Sequence, residues 1–164
     1  MKKTYHSRQL EGILCVDKPQ DWTSFDVVAK MRGIADCHKI GHGGTLDPMA
    51  TGVLPLFFGR SAKAMELMPV QDKRYTASIR FGVTTDTQDC TGNILSTSEK
   101  PVTKKALEAA LAPLRGTIDQ LPPMYSAVQV DGKRLYDLAR KGIEVEREKR
   151  EIFIDDIRLE SFDE

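Results

Sequence analysis

Alternation of apolar and polar residues marks the strands of this chain, and threefold to fourfold spacing marks its helices. From Arg74 onward Tyr75, Ala77, Ile79 and Phe81 fall on one face and Thr76, Ser78 and Arg80 on the other, which predicts a half-buried strand with Tyr75 at its start. The apolar run from Gly12 to Val16 predicts a buried strand closed by the turn Asp17-Lys18-Pro19-Gln20. Val53 to Phe58 reads as an inner strand, in which Pro55 signals an edge or a bulge. Thr23 and Asp26 form an acidic variant of a capping box, and Phe25, Val28 and Met31 behind them predict a helix from Ser24 to Arg32 that stops near Gly33. Thr103 caps a second helix with Leu107, Leu111 and Leu114 inward, ending before Gly116.

Between these segments the sequence is polar or broken. Thr84 to Gly92 reads as a loop without the ligand spacing of a calcium site. Leu121-Pro122-Pro123 interrupts the chain, and Ser126 to Val130 is a strand turned by Asp131-Gly132. A short helix from Leu135 to Lys141 meets Gly142 as its stop, the charged run Glu144 to Arg150 reads as a solvated strand or ribbon, and Glu151 to Phe162 is a last strand. Strands and helices without regular βαβ alternation place the chain in the α+β class.

At 164 residues the chain is one domain by length or part of a larger one. No apolar run approaches a membrane span, and the lysine-bearing N-terminus lacks the apolar core of a secretory signal. Cys15, Cys37 and Cys90 are odd in number with no C-x-x-C pair, which fits a reducing compartment and predicts a cytoplasmic protein. Net charge is zero, but residues 1–80 carry 12 basic against 8 acidic side chains and residues 81–164 carry 12 against 16. A local basic patch suffices for phosphate contacts.

The basic half holds the most unusual stretch, Lys39 to Lys63, KIGHGGTLDPMATGVLPLFFGRSAK. Gly41, Gly43 and Gly44 around His42 allow close backbone approaches. Asp47 is held out of the helical region by Pro48. On their own these residues fit an N-cap and first turn of a short helix, or a weak phosphate loop that matches no standard pattern. A zinc site from Cys37, His38 and His42 is disfavoured, because the glycines break the helix their spacing requires and no second ligand cluster exists.

The segment GHGGTLDPMATGVLPLFFGRSAK resembles the signature of the TruB family of pseudouridine synthases. In the family's order stand also Val16-Asp17-Lys18-Pro19, Lys73-Arg74-Tyr75 with Phe81-Gly82-Val83-Thr84-Thr85-Asp86-Thr87, Pro122-Pro123-Met124-Tyr125-Ser126-Ala127, and Gly132-Lys133-Arg134-Leu135-Tyr136. The resemblance runs from about Gly12 to the end. It implies a mixed, mainly antiparallel sheet with flanking helices and loops around an RNA cleft. It also implies an isomerase that converts uridine to pseudouridine in the T-loop of tRNA (position 55), without metal or other cofactor.

By motif position Asp47 is the nucleophile. The target uridine must leave its loop to be reached, and an extruded base needs an aromatic ring to stack on. The resemblance makes Tyr75 that ring and a candidate for proton transfer; its plain alternative is a core tyrosine at a strand end. His42 would fill the gap left by the flipped base, against a simple loop histidine. Gly43, Gly44, Lys18, Lys63 and Arg74 complete the expected RNA contacts, the two lysines serving phosphate contact, structure or mere solubility. The implied partner is the T-arm stem-loop of tRNA, bound by a monomer with no membrane association.

The chain departs from the family pattern after its last apolar segment: a later Gly-Thr-Tyr-Ile-Arg motif, the arginine that pairs with the aspartate, and a small RNA-binding domain are not in it. Residues 1–164 are therefore expected to be the N-terminal portion of the catalytic domain, inactive or nearly so without the remainder. Met49-Ala50-Thr51-Gly52-Val53-Leu54-Pro55 resembles the bacterial branch more than the guide-RNA-dependent one. A non-catalytic tRNA-binding or folding module and a guide-dependent synthase subunit remain as alternatives.

Overall fold

The structure is a computed structural model that describes residues 9–67 and 72–163. The N-terminal reading rests largely on residues 1–8, which lie outside that range, as does Glu164. The chain divides into two compact units, residues 1–75 and 76–164.

The first unit carries every residue expected at the site. Strand β1 (Gly12–Lys18), helix α1 (Ser24–Ala35), strand β2 (Ile40–His42) and strand β3 (Gly52–Phe58) are followed by a 3₁₀ helix, Gly59–Leu67. The strands form an antiparallel sheet in the order β1-β3-β2. On it Val27, Val28, Met31 and Ala35 of α1 pack against Val16, Ile40, Leu54, Leu56 and Phe58.

The capping box at Thr23 and Asp26 is formed in both directions. Two expectations for α1 change, however. Phe25 is exposed, because the buried stripe passes through Val27 and Val28 instead. The helix also runs through Gly33 and ends where Asp36 turns left-handed, with φ 46°. Aspartate tolerates that conformation, so it supplied a stop that a search for glycine misses.

β1 extends through Asp17 and Lys18 and is an edge strand whose Ile13, Leu14 and Cys15 are exposed, not a buried one. β3 is central in spite of Pro55, and its register against β1 is unbroken. The Pro55 carbonyl accepts from Gly43 N at 2.8 Å, on the β2 side. N–H and C=O of one strand residue point the same way, so the donor that proline lacks faces the side where β2 has already ended.

In the second unit all pairing is between two strands: β4 (Val83–Thr85) with β5 (Ile94–Thr97), β6 (Gly116–Gln120) with β9 (Arg150–Ile154), and β7 (Gln129–Val130) with β8 (Lys133–Arg134). Helix α2 (Lys104–Leu111) is capped by Thr103 as expected, and Pro113 falls in the 3₁₀ turn Ala112–Leu114 that ends it. Leu107 and Leu111 are half-buried, but Leu114 is exposed. Asp131 and Gly132, at φ 50° and 75°, make the hairpin turn their sequence specifies. Helix α3 (Leu135–Ala139) buries Leu135 and Leu138.

The alternating segment from Tyr75 to Phe81 is not a strand. Tyr75, Ile79 and Phe81 are exposed, and among the described residues no strand pairs with this segment. Alternation makes a sheet face only where a neighbour takes up the backbone N–H and C=O groups. The last strand is likewise shorter than expected, stopping at Ile154 opposite Gly116, where its partner begins. The α+β class stands, but as four small antiparallel sheets among the described residues.

The loop between β4 and β5 is tied by its own carboxylates. Asp86 accepts from Asn93 N at 2.8 Å and Nδ2 at 3.0 Å. Asp89 accepts from Thr91 N, Thr91 Oγ1 and Thr87 Oγ1 at 2.8, 2.6 and 2.8 Å. A Cβ at Gly92 would collide with Thr87 Oγ1 and Asp86 Oδ1. The hydrogen bond from Asn93 holds Asp86 below the ordinary aspartate value, and that from Thr91 does the same for Asp89. A depressed native pKa contributes stability that is complete above the unfolded value and lost as pH falls through the native one. The amide shifts of Thr91 and Asn93 should therefore be constant down to about pH 5 and move together only below the ordinary carboxylate range. Movement of these amides near neutral pH would contradict the assignment.

Candidate active site

Asp47 sits in the loop between β2 and β3, and that loop is gripped on both sides of it. Before it, the buried Ser24 accepts from Leu46 N at 3.0 Å and donates to Leu46 O at 3.4 Å. After it, the Pro48 carbonyl accepts from Asp21 N at 2.8 Å and from Lys18 Nζ at 3.2 Å. A turn closes beyond through Ala50 N to Asp47 O at 3.0 Å. Asp47 itself is exposed, and among the described residues no hydrogen bond or ion pair engages its carboxylate. A carboxylate free at its tip, on a backbone fixed at both flanks, is an arrangement compatible with positioning catalysis. The short capped helix that Asp47-Pro48 allows in isolation does not form.

Lys18 is fully buried, which removes it from the RNA contacts and from surface solubility alike. Its Nζ donates to the carbonyls of Pro19 at 2.9 Å, Trp22 at 2.6 Å and Pro48 at 3.2 Å. An ammonium has three hydrogens, so none is left for a phosphate. Its role is the structural one, and it acts on the loop that carries Asp47.

His42 ends β2, opposite Leu56 of β3. Its Nδ1 contacts the Gly44 carbonyl, which folds the ring onto its own turn. The two glycines beside it differ. A Cβ on Gly43 would stand 2.7 Å from Cε2 of the buried Phe57 ring, whereas one on Gly44 would meet nothing within 4 Å. Gly43→Ala should thus cost about 1–3 kcal/mol, since a fully buried ring has no free direction to move in. Gly44→Ala should stay within about 0.5 kcal/mol of the unsubstituted protein. Urea unfolding of the two variants checks this, and equal losses would contradict the assignment to Phe57.

Tyr75 is 64% exposed, which excludes a core tyrosine at a strand end. Lys63, in the 3₁₀ helix, and Arg74 are exposed too. The structure thus gathers Gly43, Gly44 and Asp47 in the loop after β2, with His42 at its start and Lys18 bonded to it through the Pro48 carbonyl. Lys63, Arg74 and Tyr75 lie outside that loop, at exposed positions later in the same unit. Cys37 is buried with its thiol toward Lys39 O at 3.7 Å, and among the described residues no three His, Cys, Asp or Glu side chains gather to hold a metal. No described helix is long and apolar enough to cross a membrane.

Two contributors were not legible as such. Ser24 reads only as the residue after a helix cap, and Asp21, just beyond the turn Asp17-Lys18-Pro19-Gln20, carries no signal of its own. Asp21 has φ 66°, and that left-handed backbone is what aims its N–H at Pro48.

The sequence matches the family model described as TruB family pseudouridylate synthase (N terminal domain) over residues 32–164. A tRNA pseudouridine synthase B from Azoarcus sp. (strain BH72) is 46% identical over 162 residues, covering 99% of this chain and 54% of that protein. One from Clostridium kluyveri is 49% identical over 145 residues, covering 88% of this chain and 50% of that protein. The chain thus spans about half the length of the curated relatives it matches. Among solved structures a Cbf5-Nop10-Gar1 complex aligns at 25% identity with a TM-score of 0.49, over 72% of this chain and 31% of that one. With the family model matched across the Asp47 loop and all of the second unit, the chain belongs to the TruB family of pseudouridylate synthases.

Proposed function

We propose that this chain carries the nucleophile and much of the RNA-contacting surface of a tRNA pseudouridine synthase acting on the T-loop uridine at position 55. The observation that carries the proposal is Asp47: an exposed carboxylate, without a partner among the described residues, on a loop fixed at Leu46 and Pro48, inside a segment that matches the family. The reaction breaks the bond from C1′ to N1, turns the uracil and joins C1′ to C5; C5 gives up its proton and N1 takes one up, so the atoms balance. It is an isomerisation and needs no redox partner or cofactor. Asp47 is the nucleophile, and the exposed Tyr75 offers a ring for the extruded base and a hydroxyl for proton transfer.

His42 stands in the same turn to occupy the space the base leaves, and Gly43 and Gly44 let RNA approach the backbone there. Lys63 and Arg74 are placed for phosphate contacts. The protein acts as a monomer in the cytoplasm, where the free thiols of Cys15, Cys37 and Cys90 persist.

The chain is the N-terminal portion of the catalytic domain, and turnover needs the remainder. The test uses a T-arm stem-loop RNA with two proteins: the chain alone, and a chimera in which it is joined to the C-terminal half of the Azoarcus relative. The chimera should form pseudouridine, whereas the chain alone should bind the RNA without turnover. Turnover by the chain alone would refute the need for the remainder. Binding by the chimera without turnover would favour a non-catalytic RNA-binding module, and no binding by either protein would overturn the reading.

A further inference from the structure

We infer that Ser24 is a positioning residue for the Asp47 carboxylate; the inference rests on the reading of Asp47 as nucleophile. Ser24 is 3% exposed, although it stands at the first position of α1, where a serine is ordinarily wet. Its hydroxyl does not cap its own helix, since Thr23 accepts from Asp26 N and the Asp26 carboxylate returns to Thr23. Instead it reaches a residue 22 positions away and brackets both polar groups of Leu46, accepting from the N–H at 3.0 Å and donating to the C=O at 3.4 Å. A hydroxyl has one hydrogen and two lone pairs, so both bonds form at once.

The Leu46 carbonyl belongs to the peptide plane that joins Leu46 to Asp47. Fixing that plane fixes the Asp47 N and Cα, and so the point from which its side chain leaves the loop. On the far side Pro48 sets its own φ, and Asp21 N holds its carbonyl. Ser24 thus controls the one flank of Asp47 that neither the proline ring nor Lys18 reaches. Its hydroxyl touches no reacting atom; its effect on the reaction passes through the backbone. An aspartate swung by about 1 Å still binds RNA nearby but reacts much more slowly.

The test is Ser24→Ala in the chain and in the chimera, beside Val28→Ala, a core truncation on the same helix chosen for a comparable loss in Tm. In the chain, Ser24→Ala should speed hydrogen exchange at the Leu46 amide at least about tenfold while the Val28 amide stays protected. In the chimera it should lower the single-turnover rate at least about twentyfold and leave T-arm affinity within about twofold. Val28→Ala should keep the rate. Unchanged exchange at Leu46, or an equal rate loss in Val28→Ala, would overturn the proposal. Should the unsubstituted chimera show neither binding nor turnover, the reading of function fails, and exchange at Leu46 alone decides whether the bracket exists.

Discussion

Asp47→Asn should lower pseudouridine formation by the chimera at least about 10³-fold, equivalent to about 4 kcal/mol of barrier, with T-arm affinity kept within about twofold. The amide has the shape of the carboxylate and lacks its nucleophilic power. Nothing in the loop depends on that charge: Asp47 is exposed, its carboxylate has no partner among the described residues, and the bonds that hold the loop run through Leu46 and Pro48. Stability should therefore change by no more than about 0.5 kcal/mol. Single-turnover rates and binding isotherms on one RNA separate the outcomes. A variant that keeps its rate removes Asp47 from the chemistry. A variant that loses binding in step with rate makes it an RNA contact.

What the sequence disclosed was governed by neighbours along the chain. A cap, a two-residue turn or a proline acts within a few residues, so Thr23 with Asp26, Thr103, and Asp131-Gly132 all behave as their local chemistry dictates. What it concealed depended on partners far away. Tyr75 to Phe81 alternates as well as any strand, but no described strand pairs with it. β2 is three residues long and half glycine-flanked, too short to show a period, and it exists because β3 offers an edge beside Phe58. β6 begins at a glycine, Gly116, that reads as a helix stop, and forms because β9 lies opposite.

The site divides along the same line. The Asp47 loop was found because its pattern resembles a family motif. Its supports, Ser24 and Asp21, were not found, because a serine after a cap has an ordinary local use and an aspartate beside a turn carries no signal of its own. Only the folded chain shows that both are spent on a loop more than twenty residues away.

The same distant grip sets the second large effect. Lys18→Met should destabilise the first unit by about 3 kcal/mol, although methionine nearly matches the volume of the lysine stem and is the more apolar of the two. Burial favours the substitution, since a charged group taken fully out of water carries a heavy desolvation cost. Against it stand the carbonyls of Pro19, Trp22 and Pro48, which all accept from Nζ and include one at the end of the Asp47 loop. Hydrogen bonds to a charged donor contribute about 1.5–3 kcal/mol each, and the Pro19 and Trp22 carbonyls would lose this donor while Pro48 O keeps Asp21 N. Three such bonds outweigh the desolvation relieved.

Pro48 O would keep Asp21 N, so the loop should loosen rather than detach. Exchange at the Asp21 amide should rise before the unit unfolds globally. Lys18→Arg should not rescue, because a planar guanidinium cannot point three hydrogens at three carbonyls around one buried atom. Urea unfolding with an unchanged slope reads the loss directly. If Lys18→Met unfolds at the same urea concentration as the unsubstituted chain, the ammonium is not what holds the turn. Asp21, Ser24 and the Ala50 turn would then be what fixes the loop around Asp47 among the described residues.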